Sequence, residues 1–120
     1  MSFFKQFFAA AVAVAGSLPF MAIPAHASCG VASYYGPGLY GGLTASGTVL
    51  RPGSMIAAHR SLPLGSWVRV TNQRNGRSVN LKVVDRGPYE SGRILDVSEA
   101  AAHRLGMIAS GLADVCISRL

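Results

Sequence analysis

The chain has 120 residues, of which 11 are Lys or Arg and 5 are Asp or Glu, so its formal net charge is +6 at pH 7. Half of the residues are hydrophobic, 13% are charged, and there are 14 glycines and 2 cysteines. This length is enough for one domain and excludes two domains of ordinary size. The basic balance favours an anionic partner, such as an acidic cell-wall polymer or a membrane surface.

The first 27 residues have the pattern of an export signal. They hold one charged side chain, Lys5, then a largely apolar stretch over residues 7–23, and they end in Ala25-His26-Ala27. A short basic region, an apolar stretch and a small-x-small site are typical of a secretory signal peptide, so we expect cleavage after Ala27. The sequence therefore predicts a signal peptide at 1–27, one domain at 28–120, and a periplasmic or secreted protein.

Two alternatives to cleavage concern the membrane. A membrane anchor needs about 20 apolar residues, but Gly16, Pro19 and Pro24 interrupt the apolar stretch. Lipidation at Cys29 is disfavoured by His26, which stands where a lipoprotein signal has an aliphatic residue. We therefore expect no stable membrane anchor. Export also disfavours nucleic acid as a partner.

The two cysteines bracket the domain at 28–120. Without residues 1–27, ten basic and five acidic side chains remain, a net charge of +5 over 93 residues. A domain this small buries limited apolar surface and is commonly helped by a covalent staple. Export permits a disulfide between Cys29 and Cys116, worth about 4–5 kcal/mol in the chain-entropy model; two free thiols are the alternative. Neither cysteine has metal-ligand spacing, so we expect no metal and no other cofactor.

Turn signals recur along residues 28–120 and bound short segments rich in β-branched and aromatic residues, which is typical of a small all-β barrel. The clearest unit is a hairpin, in which alternating apolar residues over 66–71 and 77–85 flank the turn Asn75-Gly76. We expect further strands at 30–35, 55–58, 94–97 and 113–118.

One short helix is expected after the fifth strand. Its N-cap is Ser98 or Asp96, Glu99 lies in its first turn, and Gly106 is its C-terminal stop. Because the segment is too short to be stable alone, it must pack on the barrel.

Few residues can carry proton chemistry, since only five acids and two histidines follow residue 27. Asp85 ends the most regular strand and precedes a Gly-Pro loop, so it is either a catalytic group or a turn cap that binds backbone N–H groups. His59 follows a short apolar strand and is either a hydrogen-bonded core residue or a catalyst. For Asp96, a helix-capping role competes with an inward-facing catalytic role.

Five aromatic side chains are of the kind that stacks on sugar rings, although aromatic residues are equally common in barrel cores. They are Tyr34, Tyr35, Tyr40, Trp67 and Tyr89.

A series of motifs resembles the rare lipoprotein A family in content and order. The motifs include Ala32-Ser33-Tyr34-Tyr35-Gly36, Thr44-Ala45-Ser46-Gly47, Ala57-Ala58-His59, Asp85-Arg86-Gly87-Pro88-Tyr89 and Gly92-Arg93-Ile94-Leu95-Asp96-Val97-Ser98. The match covers residues 30–120. The resemblance implies a six-stranded double-psi β-barrel with one or two short helices and an open groove for a polysaccharide. Family members are septal lytic transglycosylases, polysaccharide lyases that cleave peptidoglycan glycan strands and prefer strands without stem peptides.

Carried over residue by residue, the resemblance implies that Asp85 is the catalytic acid/base and that His59 lies beside it. The substrate-binding positions that it implies are Tyr35, Thr44, Ser46, Arg86, Tyr89 and Asp96. Hydrolysis usually needs two carboxylates, whereas ring closure within the sugar needs no water and one acid/base suffices. That acid must start protonated, which Arg86 would oppose if it pointed at Asp85.

The chain departs from the family pattern after Thr44-Ala45-Ser46-Gly47. Many members carry Glu and then Asp within a few residues, where this chain has Thr48 and Arg51. If the missing acid is required, the protein is a non-catalytic glycan-binding module, as expansins are. A third hypothesis, from size and the expected disulfide, is a secreted interaction protein or inhibitor on a barwin-like scaffold. We expect a monomer whose partner is the peptidoglycan glycan strand.

Overall fold

Six strands close into a barrel in residues 27–120, the part of the chain that the structure, a computed structural model, describes. The strands are β1 (Ser28–Tyr34), β2 (Ile56–Ala58), β3 (Trp67–Asn72), β4 (Ser78–Asp85), β5 (Arg93–Val97) and β6 (Ala113–Arg119), in the barrel order β1-β5-β2-β4-β3-β6. The pairs β1–β5 and β2–β4 are parallel and the other four are antiparallel. All six predicted strands are confirmed.

The predicted signal peptide lies outside the described residues except for Ala27, and so does its cleavage site. Within residues 27–120, the helices are all too short or too polar to cross a membrane.

The barrel core follows from the period-two pattern of the strands. Val68 and Val70 of β3 and Leu81 and Val83 of β4 are fully buried. The residues before each of them in the strand are exposed, namely Trp67, Arg69, Asn80 and Lys82. Burying one side chain of this size contributes about 1.5–3 kcal/mol. The hairpin that the sequence predicted therefore forms one wall of the core.

The predicted disulfide is present. Cys29 of β1 and Cys116 of β6 lie directly opposite one another in an antiparallel pair, with their Cα atoms 4.0 Å apart and their sulfur atoms bonded. The bridge joins positions separated by 87 residues, so it closes nearly the whole barrel.

The predicted helix, α1 (Glu99–Leu105), covers one side of the barrel. Of the two N-cap candidates, Ser98 holds the position, and its hydroxyl accepts a hydrogen bond of 3.3 Å from the backbone N–H of Ile56. Gly106 ends the helix in the left-handed conformation with φ 71°. A side chain there would also collide with the hairpin turn, because a Cβ would lie 2.8 Å from the Nδ2 atom of Asn75.

The segment between β1 and β2 packs on the outside of the barrel and positions the site. Its Leu50 is buried with Ile56 of β2 and Val84 of β4, and Tyr35 and Tyr40 pack against this second apolar cluster. A 3-10 turn (Pro37–Leu39) lies within the segment.

Candidate functional site

Two carboxylates flank the end of β2. Ala58 is paired with Asp85 of β4 on one side and with Asp96 of β5 on the other, and Ser33 of β1 is paired with Asp96 in turn. Neighbouring strands are about 4.8 Å apart, so the backbones of the two acids are separated by roughly 10 Å. Ala58 between them is buried, and the charges of both acids act on the neighbouring Tyr35.

The Asp85 carboxylate is fixed by two donors from the segment after β1. The Tyr35 hydroxyl donates to Oδ2 over 2.6 Å, and the backbone N–H of Ala45 donates to Oδ1 over 2.8 Å. These donors are 50 and 40 residues away in sequence. Of the two alternatives for Asp85, the carboxylate therefore does not cap its own turn; it is oriented by a distant part of the chain.

The Tyr35 hydroxyl remains a donor over the working pH range. Burial of the ring is the largest effect that raises the pKa of Tyr35, followed by the hydrogen bond to Asp85 and by the negative charges of Asp85 and Asp96. Because each of these effects disfavours the phenolate, the O–H group stays in place to hold Oδ2.

His59 lies beside Asp85 with a defined tautomer. Its backbone N–H donates to the carbonyl oxygen of Asp85 at 3.1 Å, and its Nδ1 atom accepts hydrogen bonds from the backbone N–H groups of Ser61 and Leu62 at 3.1 and 3.0 Å. A nitrogen that accepts carries no proton, so the neutral ring carries its hydrogen on Nε2. Burial, and then the charges of Arg86 and Arg60, lower the pKa of His59.

Arg86 braces the same loop. Its Nη1 donates to the carbonyl oxygens of His59 and Leu62 at 3.2 and 2.7 Å. Among the described residues, Arg86 forms no ion pair with Asp85. Both hydrogen bonds of its guanidinium go to backbone carbonyls of the 59–62 loop rather than to the Asp85 carboxylate.

The turn at residues 44–48 presents hydroxyl groups next to Asp85. Ser46 is tied to the strand end by a hydrogen bond of 3.0 Å from its backbone N–H to the carbonyl oxygen of Val84. The Thr44 hydroxyl donates to the carbonyl oxygen of Thr48 at 2.8 Å, and the hydroxyls of Ser46 and Thr48 are 2.9 Å apart. Where many family members carry Glu, this chain therefore has a hydroxyl within a closed local network.

Asp96 is contacted by one side chain of the neighbouring strand β1 and by one of its own strand β5. The Ser33 hydroxyl donates to its Oδ1, and Nη2 of Arg93 lies 3.9 Å from the same oxygen. Asp96 does not serve as the helix N-cap, because Ser98 holds that position.

The loop after Asp85 is held by an arginine that the sequence did not single out. Arg60 donates from Nε to the carbonyl oxygen of Pro88 at 2.6 Å, and from Nη2 to those of Glu90 and Arg93 at 2.9 and 3.0 Å. This loop carries Tyr89, which is 73% exposed. Backbone carbonyls have no sequence signature, so only the fold reveals this clamp.

The five aromatic residues do not form one surface. Tyr35 binds Asp85 and Tyr89 is exposed on the loop after Asp85, whereas Tyr40 donates to Glu99 of α1 and Tyr34 donates to the carbonyl oxygen of Ile108. Trp67 lies on the outer face of β3, opposite Lys82. The period-two pattern of β3 already indicated this outward position, since Trp67 alternates with the inward-facing Val68.

Residues 27–117 match the family described as lytic transglycolase. The "Probable endolytic peptidoglycan transglycosylase RlpA" of Nostoc sp. is 55% identical over 93 residues, which are 76% of this chain and 25% of that protein. The "Endolytic peptidoglycan transglycosylase RlpA" of Vibrio cholerae is 48% identical over 88 residues, 73% of this chain and 34% of that protein. The chain thus spans about a quarter to a third of the length of these relatives.

Solved structures share the barrel at low sequence identity. A mutant Clavibacter michiganensis expansin in complex with cellohexaose has a TM-score of 0.62 at 22% identity, covering 78% of this chain and 50% of that one. The Streptomyces papain inhibitor has a TM-score of 0.62 at 23% identity, covering 82% and 99% of the two chains. These likenesses show the fold, a double-psi β-barrel.

Proposed function

Because the chain belongs to the lytic transglycolase family, we propose that it cleaves the glycan strands of peptidoglycan by lytic transglycosylation and prefers strands without stem peptides. The observation that carries this proposal is the Asp85 carboxylate, held by Tyr35 and Ala45 at the end of β4, where Asp85 is partly exposed. The names of the RlpA relatives support the substrate class. We further propose that the protein works outside the cytoplasm, periplasmic or secreted after cleavage near Ala27, and that it works as a monomer.

In the proposed reaction Asp85 is the single acid/base. The neutral acid gives its proton to the glycosidic oxygen as the bond from that oxygen to the anomeric carbon breaks. The resulting carboxylate then takes the proton from the sugar hydroxyl whose oxygen attacks the same carbon and closes the anhydro ring. Each carboxylate oxygen has a second lone-pair position beyond the one that Tyr35 or Ala45 uses, so Asp85 can still reach the substrate.

His59 acts in this scheme as a neutral donor. Its Nδ1 is occupied by two backbone N–H groups, so Nε2–H is the atom that can hold a sugar oxygen or Asp85 in place. Substrate-binding roles fall to Tyr35, Thr44, Ser46, Arg86, Tyr89 and Asp96. Of these, Arg86 donates only to backbone carbonyls of the 59–62 loop within the described residues, which makes its contribution one of positioning.

The engagement of Asp96 favours ring closure over hydrolysis. Hydrolysis by two carboxylates requires the second one to direct a water or to attack carbon. Asp96 instead accepts from Ser33 and lies near Arg93. Asp85 thus remains the acid available for proton transfer, and an intramolecular hydroxyl is the fitting nucleophile.

A second candidate function is a glycan-binding module that does not cleave. The observation that favours it is the hydroxyl network of Ser46 and Thr48, which leaves the 44–48 turn without a carboxylate. On this hypothesis the protein sediments with sacculi and releases nothing, and replacing Tyr35 weakens the sedimentation.

Digestion of purified sacculi and of denuded glycan separates the two functions. The purified protein is incubated with each substrate, and soluble products are analysed by mass spectrometry while bound protein is measured by sedimentation. Anhydromuramic products, formed faster from denuded glycan, are expected. Sedimentation without any such product would overturn the enzymatic proposal and support the binding module.

A further inference from the structure

A cleft runs along β4 at the end of the strand remote from Asp85. It is lined by Met55, Arg69, Ser78, Val79, Asn80 and Arg104, and we call it the arginine cleft. β2 pairs with β4 at Lys82 and beyond, so the first half of β4 has an unpaired edge next to α1. Asn80 and Asp85 are five residues apart along an extended strand, roughly 16 Å, which separates the cleft from the candidate active site.

The arginine cleft carries positive charge without a counter-charge. Two guanidinium groups line it, from Arg69 and Arg104, and none of its lining residues is acidic. All five acidic residues of the chain lie in the part that the structure describes. Within that part, Arg93 is the base that approaches carboxylates, at 3.9 Å from Glu90 and from Asp96. The two cleft arginines therefore have no acidic side chain within ion-pair distance among the described residues.

The polar atoms of the cleft are arranged as donors. Nε of Arg69 donates to Oδ1 of Asn80 at 3.3 Å, which aligns the guanidinium with the strand and uses the acceptor of the amide. The side-chain groups that remain in the lining residues are the terminal nitrogens of Arg69 and Arg104, the Nδ2 of Asn80 and the hydroxyl of Ser78. Such a set suits an oxyanion, since guanidinium groups form paired hydrogen bonds with phosphate and carboxylate oxygens.

We propose that the arginine cleft binds a phosphate group. A phosphate offers more oxygens and more negative charge to these donors than a carboxylate, which has two oxygens and one charge. A further positive charge lies next to the cleft, because Lys82 is on the same face of β4 as Asn80. Lys82 lies opposite Trp67, which is 49% exposed. The phosphate can be free in solution or be the headgroup of an anionic lipid, and the test separates these sources.

The test measures binding at the cleft itself. The ¹⁵N-labelled protein is titrated by NMR with inorganic phosphate and, separately, with acetate at matched ionic strength, and the arginine Nε–H resonances are followed. We expect phosphate to shift the Arg69 and Arg104 resonances and to bind more tightly than acetate. The double variant Arg69→Gln/Arg104→Gln should bind phosphate at least about tenfold more weakly, since charge-assisted hydrogen bonds are lost. Arg74→Gln, which removes the same charge outside the cleft, should change affinity less than about twofold.

A second arm tests the lipid source. Vesicles of phosphatidylglycerol and of phosphatidylcholine are sedimented with wild type, the double variant and Arg74→Gln. If wild type sediments with phosphatidylglycerol and the double variant does not, the site binds lipid headgroups. If wild type binds inorganic phosphate but does not sediment with phosphatidylglycerol, the site binds a soluble ligand. If the double variant fails to fold, the two single variants replace it, each expected to weaken binding about threefold.

Three results would overturn the proposal: binding of neither probe, equal binding by wild type and the double variant, or acetate binding as tight as phosphate binding. The two binding measurements, by NMR and by vesicle sedimentation, do not involve glycan. The double variant should digest denuded glycan at the wild-type rate, so the cleft and the proposed activity stand or fall separately.

Discussion

The hydroxyl of Tyr35 and the carboxylate of Asp85 are joined by a hydrogen bond of 2.6 Å between residues 50 positions apart. This bond ties the orientation of the proposed acid/base to the segment that packs outside the barrel, because the Tyr35 ring belongs to the second apolar cluster. The position of Asp85 therefore depends on packing that lies outside the main core.

Tyr35→Phe removes the donor and keeps the ring. We expect kcat on denuded glycan to fall about tenfold and KM to change less than about twofold, because an oriented acid matters more in the transition state than in substrate binding. Steady-state kinetics measure both. Tyr40→Phe is the matched control, since its hydroxyl donates to Glu99 instead; an equal loss of kcat in both variants would contradict the positioning role of Tyr35.

Protonation of His59 should lower stability in mild acid. Since burial and the charges of Arg86 and Arg60 lower the pKa of His59 in the folded state, the unfolded chain binds more protons from about pH 6.5 downwards. The free energy of unfolding should thus fall as the pH drops through this range, and this contribution should level off below the folded pKa. His59→Asn keeps an acceptor for Ser61 and Leu62 but does not titrate.

Urea unfolding between pH 8 and pH 5 measures this effect. The slope of stability against pH below pH 7 should be smaller in His59→Asn than in wild type. At pH 7, His59→Ala should be less stable than His59→Asn by about 1–2 kcal/mol, because it leaves the two backbone N–H groups without their acceptor. Identical slopes in wild type and His59→Asn would refute the pKa argument.

The strands and the helix were predictable from the sequence because each has a local signature. Valine and leucine alternate in β4, the Asn75-Gly76 dipeptide marks the hairpin turn, and Gly106 marks the end of α1. The disulfide was predictable for a different reason: the chain has two cysteines, Cys29 and Cys116, and they lie near the two ends of the barrel domain. The prediction of the barrel topology came from the resemblance of the motifs rather than from periodicity.

The contacts that orient the site were not predictable, because they use the backbone. Ala45 binds Asp85 through its backbone N–H, so the contact does not depend on the side chain of Ala45. Arg60 binds three backbone carbonyl oxygens, so its contacts do not depend on the side chains of the residues that it binds. Ser33 bonds to Asp96 only because the parallel register of β1 and β5 places them opposite. Such pairings require the fold before they can be identified.

Removing the disulfide should destabilise the barrel strongly. The bridge spans 87 residues, and loss of a cross-link of this length costs about 4 kcal/mol in the chain-entropy model. Denaturant unfolding of the Cys29→Ser/Cys116→Ser variant should show this loss against oxidised wild type. Wild type in reductant is the control and should unfold like the variant; a loss below about 1 kcal/mol in both samples would contradict the prediction.

Arg60→Lys should loosen the loop that carries Tyr89. Lysine keeps the charge, but its single ammonium cannot bind the three carbonyl oxygens of Pro88, Glu90 and Arg93 as the planar guanidinium does. We expect ¹⁵N relaxation to show greater backbone mobility at residues 89–92 than in wild type. We also expect the KM for denuded glycan to rise about threefold. Arg77→Lys, outside this loop, is the control; a rigid loop in Arg60→Lys would show that the clamp is dispensable.

The measurement that bears most directly on the account is the digestion of denuded glycan by Asp85→Asn beside wild type. Asparagine keeps the shape of the side chain and an acceptor oxygen but cannot exchange a proton, so anhydromuramic product should form about a hundredfold to ten-thousandfold more slowly, while sedimentation with sacculi stays within about twofold of wild type. Formation of anhydromuramic product by Asp85→Asn at the wild-type rate would contradict the assignment of Asp85 as the acid/base.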